Sequence, residues 1–172
     1  RADMAVPASG CAGRLTHVSL KALAAPSPWL QLCELKFQLD GVQRAWHAVR
    51  AQPAALVLIF NATRGRFVFV RQFRPACWLA SRAEDRGLAG CGFTLEVVAG
   101  LADKAGMSLE DIAREECLEE AGYKVARLER VGTWSLREAV GPLGTPCHCF
   151  YAEVVDADRV AGAGGGVDAE EA

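Results

Sequence analysis

Glu115, Glu116, Glu119 and Glu120 fall within the six residues EECLEE at 115–120, with Arg114 as their one cationic neighbour in the chain. Like charges one turn apart cost a helix roughly 0.2–0.5 kcal/mol per pair, so such a run needs something to offset it. At about 100° per residue, Glu116 and Glu120 project with Leu109, Ile112 and Ala113; Glu119 lies at the edge of that face and Glu115 points elsewhere. The carboxylates interrupt the stripe that a helix would bury. A half-buried carboxylate must be paired, protonated or bound to a cation, and the helix carries no Lys or Arg on that face. A solvated acidic face would not coincide with Leu109 and Ile112, which makes a divalent metal the economical reading.

The helix itself is well punctuated. Ser108 is a suitable N-cap with Asp111 three residues on, Gly106 lies just outside, and Gly122 follows the last helical position, so the spacing predicts a helix over 109–121. Residues 94–99 (TLEVVA) predict a short strand leading into it. Residues 54–61 (AALVLIFN) form a continuous apolar run suited to a strand buried on both faces, and residues 66–73 (RFVFVRQF) follow as one strand after a turn, giving a hairpin. Earlier, residues 30–39 (LQLCELKFQL), the turn signal Asp40-Gly41 and residues 44–49 (RAWHAV) predict another antiparallel hairpin. Residues 1–29 read as an irregular segment with a short strand at 15–20, leaving 30–172 as the main domain.

Other stretches are less regular. Residues 76–93 are long for a connection and read as a mobile lid or a disordered loop. Residues 124–133 read as connector and strand, 134–146 as a loop, and 147–155 (CHCFYAEVV) as a strand on which Cys147 and Cys149 share a face opposite His148. The end of the chain, 160–172, carries Gly164-Gly165-Gly166 and then an acidic cluster.

Composition narrows the function classes. With 172 residues, 51% of them hydrophobic, the chain can bury a proper core. A net charge of −2 and a pI near 6.0 argue against a dedicated nucleic-acid binder or a membrane-surface binder. Seven scattered cysteines without a C-x-x-C pair suggest neither a disulfide framework nor structural zinc, and fit a reducing compartment, with cytoplasm the expected location.

The stretch from Gly100 to Tyr123 (GLADKAGMSLEDIAREECLEEAGY) resembles the Nudix box, G-x5-E-x7-R-E-U-x-E-E-x-G-U with U a bulky apolar residue. Glu116, Cys117, Glu119, Glu120, Gly122 and Tyr123 fill its second half. The loop has one extra residue, Met107 stands at the first family Glu, and Glu115 stands at the family Arg. The VRQFRPA segment (70–76) is similar to the one preceding the box in ADP-sugar and UDP-sugar Nudix enzymes. The resemblance implies an α/β fold, the Nudix α/β/α sandwich with a mixed sheet, plus the N-terminal antiparallel hairpin. The family's last strand and C-terminal helix have no residues here, so the sequence resembles a truncated domain.

The implied activity is hydrolysis of the diphosphate of a nucleotide sugar, UDP-glucose giving UMP and glucose 1-phosphate, with ADP-ribose or ADP-sugar as the alternative. A catalytically impaired Nudix-like binding module is the third reading, motivated by Glu115 and Met107. The resemblance assigns Mg²⁺, with Mn²⁺ as a substitute, to Glu116 and Glu120, with Glu96 nearby and Ala99 contributing its carbonyl. Glu119 assists, and Glu170 or Glu171 on the loop after the glycines is the candidate base. Arg71 and Arg74 are assigned to substrate phosphates, and Trp46 to stacking on the base. A homodimer through the N-terminal sheet is expected.

Overall fold

The computed structural model describes residues 4–5, 19–20, 25–27, 30–83, 92–135 and 141–165. Its organising strand is β5 (Ala54–Asn61), preceded by a short pair, β1 (Met4–Ala5) with β2 (Ser19–Leu20), and by the hairpin of β3 (Gln31–Leu39) and β4 (Val42–Arg50). Then follow β6 (Arg66–Val68), β7 (Val70–Phe73), α1 (Pro75–Ala83), β8 (Phe93–Glu96), β9 (Val98–Leu101), α2 (Leu109–Ala121), β10 (Glu129–Ser135) and β11 (Pro146–Val154). A 3₁₀ turn at Asp156–Asp158 comes after them.

Alternation along β5 sends Ala55, Val57, Ile59 and Asn61 inward, each at most 1% exposed, while the intervening residues are half-buried. Beside it β11 runs parallel, from Cys147 opposite Ala54 to Val154 opposite Asn61, and β10 runs antiparallel on the far side of β11. The result is a mixed sheet. Helix α2 packs over β5 and β9, and Ile112, Ala113 and Cys117 join Val57, Ile59, Val98 and Phe150 in one buried cluster. Full burial of a side chain such as Ile112 contributes about 1.5–3 kcal/mol, and this stripe is what holds the helix to the sheet.

Residues 66–73 are two strands rather than the single one expected, and the register shows why. β6 pairs with β5 from Asn61↔Arg66 to Ile59↔Val68, and continuing it would set Val70 against Val57. That edge is already taken, because Val98 of β9 pairs with Val57. The chain breaks at Phe69, and Val70–Phe73 pairs instead with β8 in a separate two-stranded sheet. For the same reason the strand expected over 94–99 divides at Val97, one half going to each sheet.

The mobile lid or disordered loop expected over 76–93 is corrected over residues 76–83, which are helical. Pro75 opens helix α1, at the first helical position where its missing N–H costs nothing, and Trp78 in that helix is only 5% exposed. Residues 84–91 lie outside those described.

The β3–β4 hairpin turns at Asp40-Gly41, both at positive φ, and pairs in register from Leu39↔Val42 to Gln31↔Arg50. The Val49 N–H donates to the Pro142 carbonyl (2.6 Å) and the Trp46 indole N–H to the Gly141 carbonyl (2.8 Å), tethering the hairpin to the segment before β11.

Candidate functional site

Helix α2 is set by its caps. Ser108 is extended, its Oγ accepts from the Asp111 N–H (3.1 Å), and Gly122 adopts φ 72°, its N–H donating to the Leu118 carbonyl while Tyr123 N–H donates to that of Cys117. Gly122 also has a neighbour that no side chain would tolerate: a Cβ there would lie 2.7 Å from the Ala163 oxygen. The segment after the 3₁₀ turn wraps this helix end, through Val160 N–H to the Gly122 carbonyl (2.9 Å) and Gly165 N–H to the Glu120 carbonyl (3.0 Å).

Glu116 and Glu120 lie one turn apart and both meet the end of β9. Glu116 occupies the space that Gly100 leaves open, its Cδ 2.4 Å from where a Cβ would stand. Glu120, 8% exposed, accepts the Ala99 N–H on Oε2 (3.0 Å) and the side-chain amide of Gln72 on Oε1. Glu119 is half-buried on the same turn.

Glu115 is held by Lys104 from the loop, with Nζ 2.6 Å from Oε2, and the same ammonium stands 4.0 Å from Glu116. The bond from Glu115, helped by Glu119 and Glu116, raises the Lys104 pKa and keeps it cationic. Between these carboxylates Cys117 is fully buried, and burial with Glu120 and Glu116 close by pushes its thiol up to about 12. It is a packing thiol.

Glu96 and Arg74 face each other. The guanidinium grips the carboxylate with Nε to Oε1 (2.9 Å) and a second nitrogen to Oε2 (2.7 Å), and the Thr94 hydroxyl adds a bond to Oε1. The bonds from Arg74 hold the Glu96 carboxyl below the ordinary carboxylate range in spite of its burial. Arg71 points to the opposite face of β7, its guanidinium 4.0 Å over the Phe93 ring. Thus the expected residues Glu116, Glu120 and Ala99 come together, with Glu119 on the same turn. Glu96 and Arg74 form their own pair one strand away, Trp46 sits on the tethered hairpin, and Glu170 and Glu171 lie outside the described residues.

A cleft of about 270 Å³ opens beside this centre, lined by Val68, Val70, Gln72, Glu120, Ala121 and Arg159 among others. Gln72, Lys104 and Thr94 were missed as site residues. For Gln72 a signal existed, since strand alternation puts it on the face opposite Arg71; for Lys104 none did, because only the loop's path brings it to Glu115.

The donors suit a hard divalent ion. Among the described residues no three His, Cys, Asp or Glu side chains form a ready-made cage. Mg²⁺ is ordinarily held by one or two carboxylates and completed by water and substrate phosphates, which matches the Glu116 and Glu120 pair seated on residues 99–100.

No family model matches the chain. It is 36% identical over 176 residues to the uridine diphosphate glucose pyrophosphatase of Bos taurus, covering 92% of this chain and 78% of that protein. The Mus musculus protein of that name is 37% identical over 169 residues, covering 87% and 74%. The GDP-mannose pyrophosphatase of Salmonella typhimurium is 35% identical over 117 residues, covering 68% of this chain and 55% of that one. A solved structure of an ADP compounds hydrolase superposes with a TM-score of 0.56 at 17% identity, over 75% of this chain and 62% of its own, a likeness of fold. The chain belongs to the Nudix hydrolases, in the group of nucleotide-sugar diphosphatases.

Proposed function

We propose that this chain hydrolyses UDP-glucose to UMP and glucose 1-phosphate with Mg²⁺, Mn²⁺ serving in its place. The observation that carries the reading is the seating of Glu116 and Glu120, one turn apart, against residues 99–100, together with the likeness to the two mammalian UDP-glucose pyrophosphatases. When bound, a divalent cation supplies charge neutralisation for the diphosphate and lowers the pKa of water. Glu116 and Glu120 hold it, Glu119 assists, and the Ala99 carbonyl and Glu96 are the further donors assigned to it.

Water attacks one phosphorus in line, its oxygen forming the new P–O bond as the bridging P–O bond breaks and the leaving phosphate departs. The proton goes to a base on the segment after Gly165. The Gly165 N–H is bonded to the Glu120 backbone carbonyl, and Glu170 and Glu171 follow closely in the sequence, which supports either in this role. Arg74 has the bidentate geometry for a substrate phosphate and exchanges its Glu96 contact for it; Arg71 flanks the cleft, and Trp46 is offered for base stacking.

Residues 30–172 act as one catalytic domain, with 1–29 accessory to it. The hairpin supports a homodimer. Leu35, Leu39 and Val42 share one face of it and are each 49–57% exposed, which is the apolar surface a second copy would cover. Among the described residues no helix is long and apolar enough to cross a membrane, and the free cysteines Cys33, Cys77, Cys117, Cys147 and Cys149 support a cytoplasmic site.

Hydrolysis of UDP-glucose, ADP-ribose and GDP-mannose should be followed side by side with Mg²⁺, for the wild type and Glu120→Gln. Preference for UDP-glucose, lost in the variant, is expected. Preference for ADP-ribose or GDP-mannose would reassign the substrate, and a fully active Glu120→Gln would overturn the metal assignment.

A further inference from the structure

We propose that Gln72 is a positioning residue for Glu120: its amide N–H fixes the carboxylate in the one orientation that presents it to a divalent cation. The inference rests on the metal-dependent reading above and adds a residue to that centre. Gln72 is 9% exposed and Glu120 is 8% exposed, and both line the cleft. The Gln72 Nε2 donates to Glu120 Oε1, and the Ala99 N–H donates to Oε2 at 3.0 Å.

Each carboxylate oxygen is thus held by a strand, and the two strands belong to different sheets. With both oxygens anchored the carboxylate plane cannot rotate, and the direction in which it faces a cation is fixed. The charge on Glu120 also fixes the amide itself. A carboxylate accepts and never donates, so Nε2 must face it and Oε1 must face away. Among the described residues that Oε1 is buried without a hydrogen-bond partner. A glutamine kept only for packing would be better replaced by an apolar residue, since one end of it is left unsatisfied.

The test uses Gln72→Met, which fills the same space and removes the donor, and Gln72→Asn, which keeps the amide but withdraws it by one methylene. Mn²⁺ affinity is read without substrate by electron paramagnetic resonance, UDP-glucose turnover at saturating Mg²⁺, and folding by circular dichroism. Expected is a roughly tenfold or greater weakening of Mn²⁺ binding in both variants, the scale on which residues behind metal ligands act. A matching fall in kcat with KM within twofold is expected beside it. Should Gln72→Met fail to fold, Gln72→Asn answers the same question. Wild-type Mn²⁺ affinity and kcat in a folded variant would overturn the inference alone. Absence of Mn²⁺ binding in the wild type would overturn the metal-dependent reading and this inference with it.

Discussion

Gly100→Ala isolates the contribution of Glu116 without touching a carboxylate. Gly100 needs no special backbone conformation; what it provides is space. An added Cβ would stand 2.2 Å from Glu116 Cγ and 2.4 Å from both Cδ and Oε1, whereas ordinary contact begins at 3.4 Å, so the side chain must give by roughly 1.2 Å. Because the atoms met belong to a side chain, the fold can absorb the change, at about 1–3 kcal/mol for overpacking. The site cannot. Catalytic constellations tolerate displacements of about 0.5 Å, and a shift of about 1 Å costs on the order of 100-fold. The expected outcome is a folded variant with kcat/KM for UDP-glucose down about 100-fold and weaker Mn²⁺ binding. Gly144→Ala serves as control, since nothing lies within 4 Å of its added Cβ. A Gly100→Ala protein within twofold of wild type in both readouts would refute the placement of Glu116 at the metal.

The Lys104 and Glu115 pair is more than a third exposed on both sides, so a double-mutant cycle with Lys104→Gln and Glu115→Gln should give a coupling under about 1 kcal/mol in urea unfolding, fading in 1 M salt; a coupling well above that would be unexpected. Arg74→Ala should raise KM for the nucleotide sugar and change the acid limb of stability. Glu96 has its pKa lowered by Arg74, so the pair's contribution is present above about pH 4.3 and is lost as pH falls through the lowered value. The wild-type advantage in melting temperature over Arg74→Ala should therefore shrink between pH 6 and pH 3, and an advantage that grew towards acid would contradict the pair. Cys117, fully buried and with its thiol pushed up to about 12, should resist iodoacetamide at pH 8 in the native state while the exposed Cys77 reacts, as peptide mapping would show.

Legibility followed the range of the interaction. The α2 helix was readable to the residue because Ser108 and Gly122 act on neighbours three to six positions away, and β5 was readable because its apolar run is unbroken. The carboxylates stood out because they violated the helix's own pattern. Two strands were misread as continuous for a long-range reason: only the pairing of Val98 with Val57 denies that edge to Val70. The bond between Arg74 and Glu96 spans two strands, and residues that had been given separate roles turn out to share a contact. Helix α1 had a local signal in Pro75 that the length of the loop obscured.

The two strand breaks and the cleft have one origin. Chain leaving β6 at Phe69 and chain leaving β8 at Val97 change sheets at the same level, since both contend for the single free edge of β5. A continuous strand over 66–73 would have kept Val70 and Gln72 in the main sheet. Diverted into the second sheet, they reach the C-terminal end of α2, where Gln72 meets Glu120 and the cleft is lined by the residues flanking the break, Val68 to Gln72. The polar centre therefore lies where the sheet is interrupted, and restoring regular pairing at Phe69 would remove the donor to Glu120 along with the space beside it.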